Sequence, residues 1–123
     1  MTAAIQEWIV AFAKAVRTRD YVAARALVVD HVDSFGTVVE RVTDAGDLER
    51  KQWRPIWETT TEFAFREVKV THDSNSELAI VIAQWSSLGT QGQRRDGRAT
   101  LVLSLRADDR WRAIHTHFSR TPP

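Results

Sequence analysis

Cysteine is absent from the 123 residues, which removes disulfides, thiolate nucleophiles and Cys-bearing zinc sites from consideration. An excess of charge is missing too: 17 Lys and Arg face 16 Asp and Glu, a formal net charge of +1. Such a balance supplies no global field to steer nucleic acid or an anionic membrane. No basic face with interleaved aromatics stands out, so nucleic acid is not an expected partner. No apolar run approaches the ~18 residues a membrane span needs. The opening Met1-Thr2-Ala3-Ala4-Ile5-Gln6-Glu7-Trp8 carries an acid and no basic lead-in, so it reads as the start of a helix and not as a secretion signal. The expectation is therefore a cytoplasmic protein without a membrane partner. Proline and glycine are scarce, at three and five residues. Repeats, linkers and low-complexity segments are lacking, which leaves a single domain over residues 1–123.

What is present is a globular composition, with 43% hydrophobic and 27% charged residues. Ile5, Trp8, Ile9, Phe12, Ala13 and Val16 recur at helical spacing and predict an amphipathic helix over residues 3–17, with Thr2 as its cap. A tight joint, Arg17-Thr18-Arg19-Asp20, leads to a second short helix capped by Asp20, running to about Val29 and buried through Val22, Ala26 and Leu27. Phe35, Val38 and Val39 are strand formers around a bulge or turn at Gly36. A loop over Thr43–Asp47 precedes a third helix, capped by Asp47 and carrying Leu48, Trp53, Ile56 and Trp57. Pro55 predicts a kink or break within it.

From Phe63 onward the pattern is β. Strands are expected over Phe63–His72, Leu78–Ser87, Ala99–Ala107 and Trp111–Ser119, with turns at Asp73–Ser76, Gly89–Gln93 and Asp108–Arg110. Helices first and long antiparallel strands afterwards make an α+β order. Strands this rich in apolar residues must curl over the helices, and the mouth of such a cone is where small ligands bind.

The run Gln91-Gly92-Gln93-Arg94, then Ala99–Leu103, then Asp108-Asp109-Arg110-Trp111 leading to His115-Thr116-His117-Phe118-Ser119 resembles the nuclear-transport-factor-2-like superfamily. Its SnoaL-like members and the association domain of calcium/calmodulin-dependent protein kinase II are the nearest in look. Arg19-Asp20-Tyr21, Asp33–Gly36 and Val42–Leu48 extend the resemblance upstream. It implies a cone-shaped curved antiparallel sheet wrapped around N-terminal helices, the cystatin-like α+β roll. It also implies homodimerisation through the sheet and a pocket, but no particular reaction.

Three groups of side chains could carry a function. His115 and His117 alternate onto one face of the last strand, ~7 Å apart, with Ile114, Thr116 and Phe118 opposite. The apolar face suits the pocket, so the histidines are expected at a dimer interface. A metal site would need a third ligand, which only His31, His72 or a carboxylate could supply, so a structural or interface role is expected instead, with no metal and no cofactor. Asp33 lies near the position of the base in ketosteroid isomerases, which the resemblance brings in, and could serve as a general base or merely cap a turn. Phe12 stands where those enzymes have a Tyr, and Leu101–Leu105 offers no acid, so the oxyanion-stabilising partners are missing. Of five tryptophans, Trp8 and Trp111 suit the core. Trp53, Trp57 and Trp85 would border the mouth, with Phe12, Tyr21, Phe35, Thr116 and Phe118 completing a small-molecule pocket. The cluster Arg94, Arg95, Arg98 reads as a solvated turn. In the kinase association domain an arginine follows the second His; Phe118 in that place implies a more apolar cavity.

Two functions fit this reading. One is a homodimeric module that binds a small hydrophobic molecule without assured catalysis. The other is a small enzyme of polyketide-cyclase, isomerase or dehydratase type, using Asp33 on a cyclic substrate.

Overall fold

The apolar stripe of the first seventeen residues folds as expected into helix α1 (Thr2–Thr18). The computed structural model describes residues 2–123, and the side chain of Thr2, the expected cap, lies outside the described part. The helix ends by handing its last carbonyls to the joint: Arg19 N–H bonds Val16 O at 3.2 Å and Asp20 N–H bonds Ala15 O at 2.9 Å. This pairing requires a left-handed residue just past the helix end, and Arg19 adopts it with φ 53°. Asp20 then caps α2 (Tyr21–Arg25), accepting from Ala23 N–H at 3.0 Å. This helix is shorter than expected. Ala24 is its buried residue, whereas Val22 is 85% exposed, because the chain turns into a strand where the sequence reading continued a helix.

That strand, β1 (Val28–Phe35), lies at the edge of a five-stranded sheet in the order β1-β5-β4-β3-β2. The others are β2 (Thr60–Thr71), β3 (Leu78–Gly89), β4 (Arg94–Leu105) and β5 (Trp111–Arg120). Strands β2 to β5 form the expected antiparallel meander. Strand β1 adds in parallel beside β5, a pairing that local pattern does not reveal. The result is an α+β roll in which a curved, unclosed sheet holds α1 against its concave side.

Curvature has an identifiable source. The β2–β3 register shifts between Thr61 and Ala64 and again between Arg66 and Lys69, and each shift contains a left-handed residue, Glu62 at φ 55° and Glu67 at φ 51°. Extra residues of this kind bend a strand and increase its twist. Arg17 and Arg19 fasten the bent end of β2 to the helices by donating to Phe63 O at 3.0 Å and Thr60 O at 3.3 Å.

Between β1 and β2 the chain is helical, beginning with α3 (Ala45–Asp47). Its cap is Asp44, which accepts from Asp47 N–H at 2.7 Å, one turn ahead of the Asp47 cap expected. Residues Leu48–Trp53 then widen into π-helical turns before α4 (Arg54–Trp57). Pro55, at the start of α4, has no N–H to donate, and the disturbance expected there takes this form: Arg54 N–H reaches back five residues to Glu49 O. The wider turns bring Leu48, Gln52, Trp53 and Trp57 all into the interior.

Candidate functional site

The concave side of the sheet is not completely filled. A cavity of about 120 Å³ lies between the lower half of α1, the helical run 48–57 and the ends of β3, β4 and β5. Its wall is aromatic. Phe12 is 2% exposed and is the hub, its ring 5.3 Å from Trp8, 5.9 Å from Trp57, 5.9 Å from Phe118 and 6.2 Å from Trp53. Trp53 and Trp57, four residues apart, stack at 4.9 Å with 17° between their planes. Trp85 closes the far side, with its indole N–H held by Arg98 O at 3.2 Å.

Trp85 lies against Gly97, its cross-strand partner. A methyl group there would sit 2.2 Å from the indole and from Ser119 O, so only glycine lets the ring lie flat. A second close approach shapes the mouth. Gln52 Oε1 accepts from Val38 N–H at 2.9 Å and Val39 N–H at 3.2 Å, and its Nε2 donates to Thr37 Oγ1 at 2.8 Å. The side chain thereby holds the 36–39 turn over the opening, and a Cβ on Gly36 would overlap it at 2.3 Å. Replacing Gln52 with Leu is expected to cost about 1–2 kcal/mol by stranding those donors. Urea unfolding measures this, and an unchanged midpoint would mean that the turn is held otherwise.

Seven of the eight residues read from the sequence as pocket residues line this cavity: Phe12, Phe35, Trp53, Trp57, Trp85, Thr116 and Phe118. Phe35 does so from the rim, since its ring also meets His115 and His117 edge-on, each at 5.3 Å. Tyr21 is not in the lining. It stacks behind Trp57 at 5.4 Å, under the Arg54 guanidinium at 4.2 Å, and its hydroxyl donates to Glu58 at 2.5 Å. Burial and that carboxylate push its pKa up to about 12. As the folded value lies above the ordinary one near 10, the stabilising effect of the neutral hydroxyl is present below about pH 10 and is lost as pH rises through 12. The chain has one tyrosine, so ultraviolet absorbance titration reads it alone: a midpoint near 12 is expected, and Glu58→Gln should move it part of the way back.

Asp33 does not reach the cavity. In β1 the inward neighbour is Ser34, fully buried, with its hydroxyl 2.7 Å from that of Thr116. Asp33 therefore points to the outer face, where Arg41 grips it with two hydrogen bonds of 2.9 and 2.5 Å. These hold its carboxyl below the usual range, which weakens it as a base. Ser34 and Asp33 are neighbours in the strand, and one residue along a strand reverses the face.

His115 and His117 also face outward, as Thr116 and Phe118 face in. Ile114 does not join the inner side, because a bulge opposite Val102 and Leu103 makes Ala113 the buried residue instead. Among the described residues no group of three metal-ligating side chains occurs, and no helix is long and apolar enough to cross a membrane.

Polar groups at the cavity are few: Thr37, Gln52, Thr60, Ser87, Thr116, Arg95 and Arg120. Arg95 corrects the reading of its loop as a solvated turn, since alternation along β4 sends it inward with Gly97 and Ala99. Arg120 was not anticipated, although it shares a face with Phe118 two residues earlier. That spacing was the available signal.

The model of the SnoaL-like domain matches residues 5–123. Among solved structures, a ketosteroid isomerase-like protein from Erwinia carotovora atroseptica superposes with a TM-score of 0.82 at 18% identity, over 98% of this chain and 96% of that one. A protein of unknown function with a cystatin-like fold from Nostoc punctiforme gives 0.81 at 10% identity, covering 98% and 91%. A nuclear transport factor 2-like superfamily protein from Salmonella enterica gives 0.78 at 14% identity, covering 97% and 89%. No functionally curated protein matches the chain. Likeness at these identities establishes the fold.

Proposed function

The chain belongs to the SnoaL-like domain family, within the nuclear-transport-factor-2-like superfamily, and on that footing we propose that it binds a small, largely apolar molecule in the aromatic cavity and pairs with a second copy through its sheet. The observation that carries the first half is the lining itself: Phe12, Trp53, Trp57, Phe63, Trp85 and Phe118 around about 120 Å³. A closed apolar hollow of ~150 Å³ holds benzene, so the space of about 120 Å³ here suits an apolar group no larger than a single ring or its aliphatic equivalent.

Binding is favoured over catalysis by the inventory of the wall. It holds no carboxylate, imidazole, phenol or amine among the described residues, only hydroxyls, indole N–H groups, one amide and two guanidiniums. Proton abstraction needs a base within hydrogen-bond reach of the substrate, and Asp33, the candidate for that role, lies on the other face of the sheet.

Support for pairing comes from the convex face. Leu78, Ile80 and Ile82 stand out from β3 at 50%, 41% and 48% exposure. Cross-strand rows run from Ile80 through Val102 to His115 and from Ile82 through Thr100 to His117. Aliphatic side chains in such a row mark an interaction surface. Sedimentation should find a dimer that Ile80→Glu with Ile82→Glu converts to a folded monomer. A wild-type monomer would contradict this half.

Native mass spectrometry of freshly purified protein, followed by titration with benzyl alcohol, tests the ligand half. One small molecule per chain, retained or added, is the expected result. A chain that takes up neither would overturn it.

A further inference from the structure

Resting on that reading of the cavity, we propose that its ligand is a small carboxylic acid, bound as the anion, with its apolar body among the tryptophans and its carboxylate at the rim between Arg95 and Arg120.

The apolar floor ends at one polar corner, and the sheet register builds it. On the inner face, Arg95 of β4 is the cross-strand partner of Ser87 of β3, and the next inner row runs Trp85, Gly97, Arg120. Direct partners have Cβ atoms about 5 Å apart and diagonal neighbours about 7–8 Å. Ser87, Arg95 and Arg120 therefore border the same corner of the cavity, with the Trp85 indole lying over Gly97 between the rows.

The charge there is uncompensated. Neither arginine pairs with a carboxylate among the described residues, whereas the neighbouring Asp96 is turned away and engaged by Arg94 and Arg66. Arg95 is steadied by neutral partners, its Nη1 donating to Thr59 Oγ1 at 3.2 Å and Thr60 Oγ1 at 3.3 Å. A guanidinium has five N–H donors, so most of its capacity remains for a ligand. Ser87 is 4% exposed, lines the cavity and makes no side-chain hydrogen bond to another protein group; no fully buried side-chain polar atom among the described residues lacks a partner. Its hydroxyl is thus open to the cavity.

Two cationic planes and a hydroxyl donor beside an apolar hollow suit a planar, singly charged head. Guanidinium–carboxylate hydrogen bonds are charge-assisted and geometrically matched, and low-dielectric aromatic walls strengthen the field at the rim.

The test compares benzoate with benzyl alcohol, which share a ring and differ in the charged group. Binding is followed by tryptophan fluorescence at constant ionic strength in the full chain and in Arg120→Gln and Arg95→Lys. Benzoate is expected to bind at least about tenfold more tightly than benzyl alcohol. Arg120→Gln, on an exposed side chain, should erase most of that advantage. Arg95→Lys keeps the charge but loses the fork and should weaken benzoate by several-fold, about the value of one matched pair. Benzyl alcohol binding as tightly as benzoate would overturn the carboxylate proposal and leave the cavity reading intact. An advantage for benzoate that survives Arg120→Gln would overturn the assigned rim. Uptake of neither probe would overturn both readings.

Discussion

Phe12→Ala is expected to lower the unfolding free energy by about 3–5 kcal/mol, the range for deleting a buried aromatic ring from a packed core. The magnitude follows from position. Phe12 projects from the middle of α1 into contact with rings of its own helix, the helical run and two strands: Trp8, then Trp53 and Trp57 across the cavity, Phe65 of β2 and Phe118 of β5. The space it vacates adjoins an existing cavity, so neighbours have little reason to collapse into it. Urea denaturation gives the number, and Phe12→Leu, which refills part of the volume, should recover about half. A loss under about 1 kcal/mol would show that the roll is held by its sheet alone and that the aromatic cluster is incidental to stability.

Gly97→Val should be the second largest effect, about 3 kcal/mol, through overpacking instead of loss. The new side chain would meet a backbone carbonyl on one side and the Trp85 indole on the other, each 2.2 Å from the first added carbon. Backbone in β5 cannot withdraw without breaking its ladder to β4, so the indole must move. That displacement breaks its bond to Arg98 O and tilts the cavity wall. Thermal unfolding and the Trp85 indole N–H signal in a ¹H–¹⁵N spectrum report the two consequences separately. If stability falls while that signal stays in place, the strain has gone into the strand and not into the ring.

Much of this architecture was legible because it depends on short-range repetition. The stripe on α1 and the pair Trp53 and Trp57 follow from helical spacing, and the inward set Ala79, Val81, Ala83, Trp85 and Ser87 of β3 shows unbroken alternation. The reversed strand faces share one physical character: a single inserted or displaced residue. The bulge at β4–β5 removes Ile114 from the inner face, and the early start of β1 puts Ser34 inside and Asp33 outside. A helix that stops at Arg25 leaves Val22 in water. Period-two patterns carry no marker of such insertions, and one shift changes every side chain beyond it. The parallel docking of β1 on β5 joins segments some eighty residues apart, beyond any local pattern. Arg95 was obscured by its neighbours: within the run Arg94-Arg95-Asp96 it is the strand's alternation, unrecognised that early in β4, that turns it inward while Asp96 binds Arg94 outside.

These corrections share a consequence for function. They move the only carboxylate candidate out of the cavity and move two guanidiniums to its edge, so the site loses a base and gains an anion-binding rim. A pocket arranged in this way is better suited to holding a small acid than to removing a proton from a ring.

The most direct measurement is a ¹H–¹⁵N spectrum of the protein titrated with benzyl alcohol, in which each of the five tryptophans contributes one indole N–H signal. Trp53, Trp57 and Trp85 line the cavity and Trp8 and Trp111 do not. The account predicts saturable shifts in the first three signals and nearly stationary positions for the other two. Equal, unsaturable drift of all five, or no movement at all, would contradict it.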